Sequence, residues 1–494
     1  MNSIISWRFG GRPATNHRRQ LTNSPAGQQH VPEYLRVDSL RTHDIFEITV
    51  SDLAQSFERQ VFSIVEYTEF CIRRISVLNP YLEAVIKINP DALTIAKALD
   101  DERVSGRPLG SLHGALLGNV VPNDAFTASM LRKAGAVIIG HANMSEWASC
   151  RSKLYSTGYS PRGGQTRNPY DLRKGPFGSS SGSAVAVAAN LLPLAFGTET
   201  DTSIIGPASI NGVVGIKPTV GLTSRTGVIP ISENMGSVGS FGRTVADAAA
   251  GLDAICGADP EDPFTQSPDR RQNSPYSRFL STSDVLKGAR FGRPYKKCWK
   301  LTPQCCKFVA LELFEALEEA GAEIIDVELP RTLGQGIRPT RHVRLDSTEG
   351  PSPNTLPAFP SGQDNLLKII QSHGLKDETY HSALAHIHKQ TRENGLDAAL
   401  SGYDALMFCD RKGVGQQYAA QAGYPVICIP IGLDDNGMPV SISVQHSAWK
   451  EAELVKWSSA NCLRGDISTI GFQRDKIRWN AAEAMMLKNG IPVV

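Results

Sequence analysis

Small residues are concentrated in one stretch of the chain, residues 175–218, and this stretch restricts what the chain can fold into. Its sequence is GPFGSSSGSAVAVAANLLPLAFGTETDTSIIGPASINGVVGIKP. Glycine and hydroxyl residues form two clusters, residues 178–183 and 197–203, which are separated by an apolar segment long enough for a helix, residues 184–196. Glycine lets a ligand approach the backbone, and serine supplies a compact hydroxyl. The pattern therefore predicts a site where backbone amides and hydroxyls converge; the apolar segment argues against the alternative, a flexible linker.

The size and composition of the chain restrict the classes of partner. With 494 residues, one large α/β domain and two domains are both open. A net charge of +2 favours no polyanion, so nucleic acid is not an expected partner. Nine cysteines without a C-x-x-C pair indicate neither a disulfide framework nor a zinc site, and reduced thiols predict a cytoplasmic protein. No apolar run reaches the roughly 18 residues of a membrane span.

The first 40 residues are polar and show no periodicity, which predicts a poorly ordered arm. Within it, residues 1–32 contain four arginines and no acid, so a mitochondrial transit peptide is the alternative interpretation. The four arginines are Arg8, Arg12, Arg18 and Arg19.

Helical and strand patterns alternate after this arm, which predicts an α/β layer structure. Ser51 is a candidate cap for a first helix, and Ser63 to Glu66 forms a capping-box pattern for a second. Further helices are predicted at residues 124–134, 244–255, 304–320 and 378–400, with a last one from residue 450. Strands are predicted at residues 136–139, 213–216, 323–329, 403–408, 426–431 and 440–444.

Two hydrolase motifs occur in a context that does not suit them. The segment Gly178-Ser-Ser-Ser-Gly182 satisfies G-x-S-x-G, but that motif requires a strand directly before it, and residues 168–177 are polar and contain prolines. Ser447 and Lys450 have S-x-x-K spacing without its companion motifs, so a helix cap explains them better. Three histidines, at positions 381, 386 and 388, form no HExxH pattern and are interpreted as exposed helix residues.

The remaining candidates are Ser179 and Ser203, which are 24 positions apart. Around them the chain reads FGSSSGSA, GTETDTSII and GIKP. These blocks resemble the GGSSGGSA, GTDxGGSI/V and G-x-K-P blocks of the amidase signature family, at matching offsets. The resemblance extends over residues 51–457 and includes LRKAGAVIIGHANMSEWAS and AAQAGYPVICIPIGLDDNGMPVSISVQ, whose details are similar to fungal members.

The resemblance implies an α/β amidase signature fold, a large twisted mixed sheet flanked by helices. It implies a single domain over residues 41–480, followed by a C-terminal tail at residues 481–494. The implied activity is hydrolysis of a small carboxamide through an acyl-serine intermediate, without a metal or an organic cofactor. The amide and the oligomeric state stay open.

The resemblance also implies roles for particular residues. Ser203 would be the nucleophile, and Ser179, preceded by a cis peptide bond, would relay its proton. The backbone N–H groups of Thr200, Asp201, Thr202 and Ser203 would form the oxyanion hole.

The lysine that serves as base in this family has no counterpart in the chain. It normally follows a PLHGIPxxxKDN-type strand, whereas here SLHG ends at Gly114 and a downstream block begins at Ala115. Three other lysines, Lys133, Lys153 and Lys174, lie on a predicted helix face or in polar loops and are poor substitutes.

Asp201 and Thr202 also replace two glycines of the family pattern, and a β-branched residue fits poorly where φ must be positive. Two explanations are open: a degenerate amidase, or a sequence from which coding sequence is missing. The alternative function is an inactive amidase-like protein that binds amides or a protein partner.

Overall fold

The computed structural model describes residues 39–40, 43–45, 48–105, 116–117, 124–152, 156–270, 275–296, 298–329, 364–371, 376–409 and 415–462. Most of the predicted arm, the junction between Gly114 and Ala115, Lys153 and the predicted C-terminal tail lie outside these residues. Among the described helices, none has the combination of length and apolar character needed to cross a bilayer.

Helices and strands alternate along most of the described chain. The helices are α1 (Val50–Glu58), α2 (Ile64–Leu82), α3 (Ala92–Val104), α4 (Phe126–Lys133), α5 (Ser181–Ala188), α6 (Ile205–Asn211), α7 (Val245–Ile255), α8 (Gln304–Glu319), α9 (Asp364–Gln371), α10 (Glu378–His388), α11 (Asp397–Ala399), α12 (Gln416–Ala422) and α13 (Glu451–Cys462). The strands are β1 (Ser39–Leu40), β2 (His43–Asp44), β3 (Val85–Ile88), β4 (Leu116–Leu117), β5 (Val137–Ile138), β6 (Gly140–Ala142), β7 (Tyr159–Ser160), β8 (Gly164–Gln165), β9 (Leu194–Glu199), β10 (Val214–Lys217), β11 (Ser237–Gly242), β12 (Arg290–Pro294), β13 (Glu323–Val327), β14 (Ala405–Cys409), β15 (Val426–Leu433) and β16 (Pro439–Gln445).

Eight strands form one mixed sheet in the order β13-β12-β14-β16-β15-β10-β11-β9. β12 is parallel to both β13 and β14, and the remaining neighbours are antiparallel. Successive side chains of a strand point to opposite faces. Accordingly, Met407 packs with α7, α8 and α13, whereas Leu406 packs with α5, α6 and α12. Helices therefore cover both faces, and the predicted large mixed sheet flanked by helices is confirmed.

A second apolar core lies in the N-terminal helical part of the chain. Side chains of α1, α2 and α3 pack there with β3 and with one face of α5. Arg243, only 2% exposed, connects this part to the sheet through hydrogen bonds from its guanidinium to the carbonyls of Leu192 and Ile48. The helix that carries Ser181 is therefore held between the two cores.

Several sequence predictions need correction. The apolar segment at residues 184–196 is not one helix, because α5 ends at Ala188 and β9 begins at Leu194. The first helix is capped by Thr49, which forms a capping box with Asp52, and not by Ser51. The predicted helix at residues 378–400 is divided by a π-helical stretch, Lys389–Leu396. No described strand directly precedes Gly178, which agrees with the rejection of the G-x-S-x-G motif.

Candidate active site

The two predicted serines lie beyond the end of β9 and at the start of α5. Strand β9 ends at Glu199, which pairs with Ser237 at the start of the antiparallel strand β11. Residues 200–203 therefore leave the sheet at the edge where residues 228–236 enter it. Ser180, at the start of α5, donates its N–H to the Ser203 carbonyl over 3.2 Å. This bond joins the two small-residue clusters directly.

Ser179 is held by its backbone and leaves its hydroxyl unbonded. The Gly178–Ser179 peptide bond is cis, as the resemblance implied. The Ser179 carbonyl accepts hydrogen bonds from the N–H groups of Ser145 (2.9 Å) and Ser181 (2.8 Å). Its Oγ is buried and has no hydrogen-bond partner among the described residues. A buried hydroxyl without a partner is rare enough in proteins to require an explanation.

Thr202 adopts a left-handed backbone conformation, with φ of 60°, directly before the half-buried Ser203. Its carbonyl accepts the Gly206 N–H at 2.8 Å, and its Oγ1 donates to the Asp201 carbonyl at 2.8 Å. The same carbonyl lies 3.5 Å from the Ser203 Oγ. The chain thus takes up the positive φ at this position even though the residue is β-branched.

Three backbone N–H groups around Ser203 have no acceptor among the described residues. They belong to Thr200, Thr202 and Ser203. The next two N–H groups, of Ile204 and Ile205, donate to the Glu199 carboxylate at 2.5 and 2.9 Å. The loop at residues 200–203 therefore offers three backbone N–H donors that bind no other described group.

Two carboxyl groups next to these donors have raised pKa values. Burial raises the pKa of Glu199, and the nearby Lys217 partly opposes that effect. Burial also raises the pKa of Asp201 from 3.8 to about 6, because its carboxyl is enclosed although the residue keeps some exposed surface. Both carboxyl groups therefore keep their protons to a higher pH than solvent-exposed carboxyl groups do.

The sequence reasoning missed Lys217, a fully buried lysine at the end of β10. Its Nζ donates to the carbonyls of Pro218 (2.9 Å) and Tyr424 (2.8 Å), and burial lowers its pKa to about 8. It makes no hydrogen bond to Ser179 or Ser203. In the part of the chain that the structure describes, no lysine reaches either serine, and this includes Lys133 and Lys174.

Comparison with known proteins identifies the family. The family model described as Amidase matches residues 115–334. A protein named as an amidase in Schizosaccharomyces pombe is 37% identical over 84% of this chain and 84% of its own length. The solved structure of native peptide amidase from Stenotrophomonas maltophilia superposes with a TM-score of 0.76 and 36% identity, over 85% of this chain and 97% of that chain.

A more distant similarity covers a smaller part of the chain. One subunit of the glutamyl-tRNA(Gln) amidotransferase of Symbiobacterium thermophilum is 36% identical over 58% of this chain and 61% of its own length. The extent of these matches, together with the sheet and the serine clusters, decides the assignment. The chain belongs to the amidase family, and amide-bond hydrolysis is the general activity that this membership supports.

Proposed function

We propose that the chain hydrolyses small carboxamides through an acyl-enzyme intermediate on Ser203. The observation that carries the proposal is the hydrogen bond from the Ser180 N–H to the Ser203 carbonyl, beside the unbonded Ser179 hydroxyl. The Ser203 Oγ attacks the substrate carbonyl carbon while its proton moves to the Ser179 Oγ. Ser179 passes a proton to the leaving nitrogen, the C–N bond breaks, and water then hydrolyses the ester.

Backbone donors stabilise the oxyanion in this proposal. The donors are the N–H groups of Thr200, Asp201, Thr202 and Ser203, and those of Thr200, Thr202 and Ser203 have no acceptor among the described residues. Loss of one such donor in a serine hydrolase reduces kcat by roughly 10²- to 10³-fold. The unused N–H groups of Thr200, Thr202 and Ser203 support this assignment, because a backbone donor committed to another acceptor could not bind the oxyanion.

The proposal includes impaired activity, because no lysine of the described residues hydrogen-bonds to the hydroxyl of Ser179 or Ser203. A serine hydroxyl is a weak nucleophile until a base removes its proton. Serine proteases that lack a triad member keep roughly 10³- to 10⁴-fold acceleration over water. By analogy, we expect slow turnover in this chain. The similarity to a peptide amidase makes a C-terminally amidated peptide the first substrate to test.

The second candidate function is binding of amides or of a protein partner without catalysis. Two observations favour it: no described lysine reaches the serines, and Thr202 carries a Cβ where the family has glycine. In this case the serine loop would keep its shape and its donors but would not be acylated.

A fluorophosphonate probe tests the proposal, since it phosphonylates an activated serine without needing a complete relay for turnover. We expect slow, stoichiometric labelling that mass spectrometry maps to Ser203 and that Ser203→Ala abolishes. Ser232→Ala, in the loop at the same sheet edge, is the matched control and should label normally. Absence of labelling in folded protein, or labelling that persists in Ser203→Ala, would reject Ser203 as the nucleophile.

A further inference from the structure

A separate cavity of about 470 Å³ opens at the same edge of the sheet and contains none of the serine-loop residues. The strand register explains its position. Lys217 pairs with Val426, and Val426 pairs with Gln445, so the ends of β10 and β16 and the start of β15 meet there. Residues just beyond these ends, together with the end of α10 and the π-helical stretch, form its wall. The sheet edge therefore carries two distinct concave features.

Arg392 supplies the positive charge of this cavity. Its Nε donates to the Ala422 carbonyl at 2.8 Å, and its other guanidinium nitrogens have no acceptor among the described residues. The side chain is partly buried, and its Nη2 lies against Gly423, where an added Cβ would be 3.5 Å away. The negative charge of Asp397 acts on Arg392. The Asp397 carboxylate, however, accepts its hydrogen bond from the Tyr424 hydroxyl, at 2.8 Å. The free N–H groups of a guanidinium match the two oxygens of a carboxylate.

His388 supplies a neutral polar atom beside this charge. Its Nε2 is enclosed and has no hydrogen-bond partner among the described residues. Burial and the Arg392 charge lower its pKa to about 4, so the ring is neutral at physiological pH. Because Nε2 is enclosed, the ring would turn on binding so that this nitrogen forms its one hydrogen bond with the ligand without adding charge.

The rest of the wall favours an organic ligand with a single negative charge. Three aromatic residues, Phe264, Tyr424 and Trp449, provide apolar surface for a carbon skeleton. The carboxylate of Asp269 lies on the exposed part of the wall and would repel a polyanion such as a phosphate ester. The apolar wall and the Asp269 carboxylate therefore favour an organic ligand with a single negative charge over a multiply charged anion.

We propose that this cavity is a binding site for a small organic monocarboxylate, with Arg392 and His388 binding the carboxylate and the aromatic wall contacting the carbon skeleton. The site is independent of the proposed acyl-enzyme chemistry, because no residue of the Ser203 loop lines it. Arg392 and His388 are four positions apart in the sequence, and the sheet edge brings them together with residues more than 100 positions away.

The test compares two probes of the same shape on the full chain. Isothermal titration calorimetry with 3-phenylpropanoate and with uncharged 3-phenylpropan-1-ol measures how much the carboxylate contributes to the binding affinity. We expect the acid to bind about tenfold more tightly or better. Arg392→Gln should remove that advantage, and His388→Ala should reduce it several-fold. Arg73→Gln, an exposed arginine on α2, is the matched control and should leave binding unchanged.

A further variant separates this cavity from the serine site. Ser203→Ala should bind the acid as the unaltered chain does, whatever the fate of the proposed catalytic function. Equal affinity for acid and alcohol would overturn the proposal, as would undiminished binding in folded Arg392→Gln or loss of binding in Ser203→Ala. If Arg392→Gln fails to fold, His388→Ala and the comparison of the two probes on the unaltered chain decide the question.

Discussion

Thr202 is a β-branched residue in the left-handed region, directly before Ser203, and this is a strained conformation. Such a conformation costs an ordinary L-residue about 1 to 2 kcal/mol, and its Cβ restricts approach to the backbone. Thr202→Gly removes both effects but gives the unfolded chain more entropy and loses the bond from Oγ1 to the Asp201 carbonyl. We expect the unfolding free energy to change by less than about 1 kcal/mol, while fluorophosphonate labels Ser203 about tenfold faster.

Thr202→Ala is the matched control for this prediction because it keeps the Cβ and removes only the branch. Its labelling rate should lie between those of the unaltered chain and Thr202→Gly. If Thr202→Gly labels no faster than Thr202→Ala, the Cβ does not obstruct the reaction.

Asp201 predicts a specific dependence of stability on pH. Its pKa is raised by burial from 3.8 to about 6, so the folded state holds a proton that the unfolded state has lost between these values. Asp201 therefore contributes stability that is lost as the pH rises from about 4 to 6, by on the order of 2 kcal/mol. In Asp201→Asn this contribution should be absent, so the unfolding free energy of the variant relative to that of the unaltered chain should rise by this amount over the same range. Urea unfolding at pH 4, 5, 6 and 7 measures the difference.

Asp435→Asn, in the turn between β15 and β16, is the control for this series, since it removes an exposed carboxylate. It should follow the pH profile of the unaltered chain. If the difference in unfolding free energy between Asp201→Asn and the unaltered chain stays constant between pH 4 and 6, the pKa of Asp201 is not the cause.

The sequence alone indicates Ser179 and Ser203 as candidate site residues, but it does not indicate the groups that surround them. The serines stand in recognisable blocks, and their resemblance to the amidase family implied the cis peptide that the structure contains. The burial of Lys217 has no local signature, because it depends on the position of β10 between β15 and β11. The cavity was missed for the same reason: its residues are distant in sequence, and His388 was interpreted as an exposed helix residue.

Local sequence patterns predict some helices and strands of this fold correctly and fail for others. The apolar composition of residues 184–196, which only Asn190 interrupts, predicts one helix. The structure breaks it after Ala188, where Asn190 takes a positive φ of 55°, and Pro193 follows shortly before β9. An apolar run that is buried on all sides has no periodicity, so composition alone does not distinguish helix from strand.

The capping box of α2 is an element that the sequence predicted correctly. Ser63 accepts the Glu66 N–H at 3.1 Å, and the Glu66 carboxylate accepts the Ser63 N–H at 2.8 Å. Ser63→Ala removes the first bond, so we expect the unfolding free energy to fall by about 1 kcal/mol. Chemical denaturation measures it. Thr282→Ala, at an N-cap position without a side-chain cap bond, is the control and should lose distinctly less stability than Ser63→Ala.

In the whole molecule, strand β4 connects the sequence junction at Gly114 and Ala115 to the large sheet. Strand β9, which leads into the Ser203 loop, is the last strand of the eight-stranded sheet among the described residues. Strand β4 begins at Leu116, two positions after Gly114, and lies in contact with β9. The family match also begins at residue 115. A segment inserted between Gly114 and Ala115 would therefore be followed directly by a strand that contacts β9.

This arrangement predicts that a segment inserted at the junction can supply the base. We would insert between Gly114 and Ala115 a segment of the family's PLHGIPxxxKDN type, which carries a lysine, and measure ammonia release from a peptide amide. General base catalysis contributes roughly 10²- to 10⁴-fold, so kcat/KM should rise by that factor over the unaltered chain. The same insert with methionine in place of its lysine separates a repaired fold from a supplied base. If both inserts raise the rate equally, the segment acts through the fold; if neither does so in soluble, folded protein, the impairment lies in the serine loop and Thr202 becomes the first position to revert.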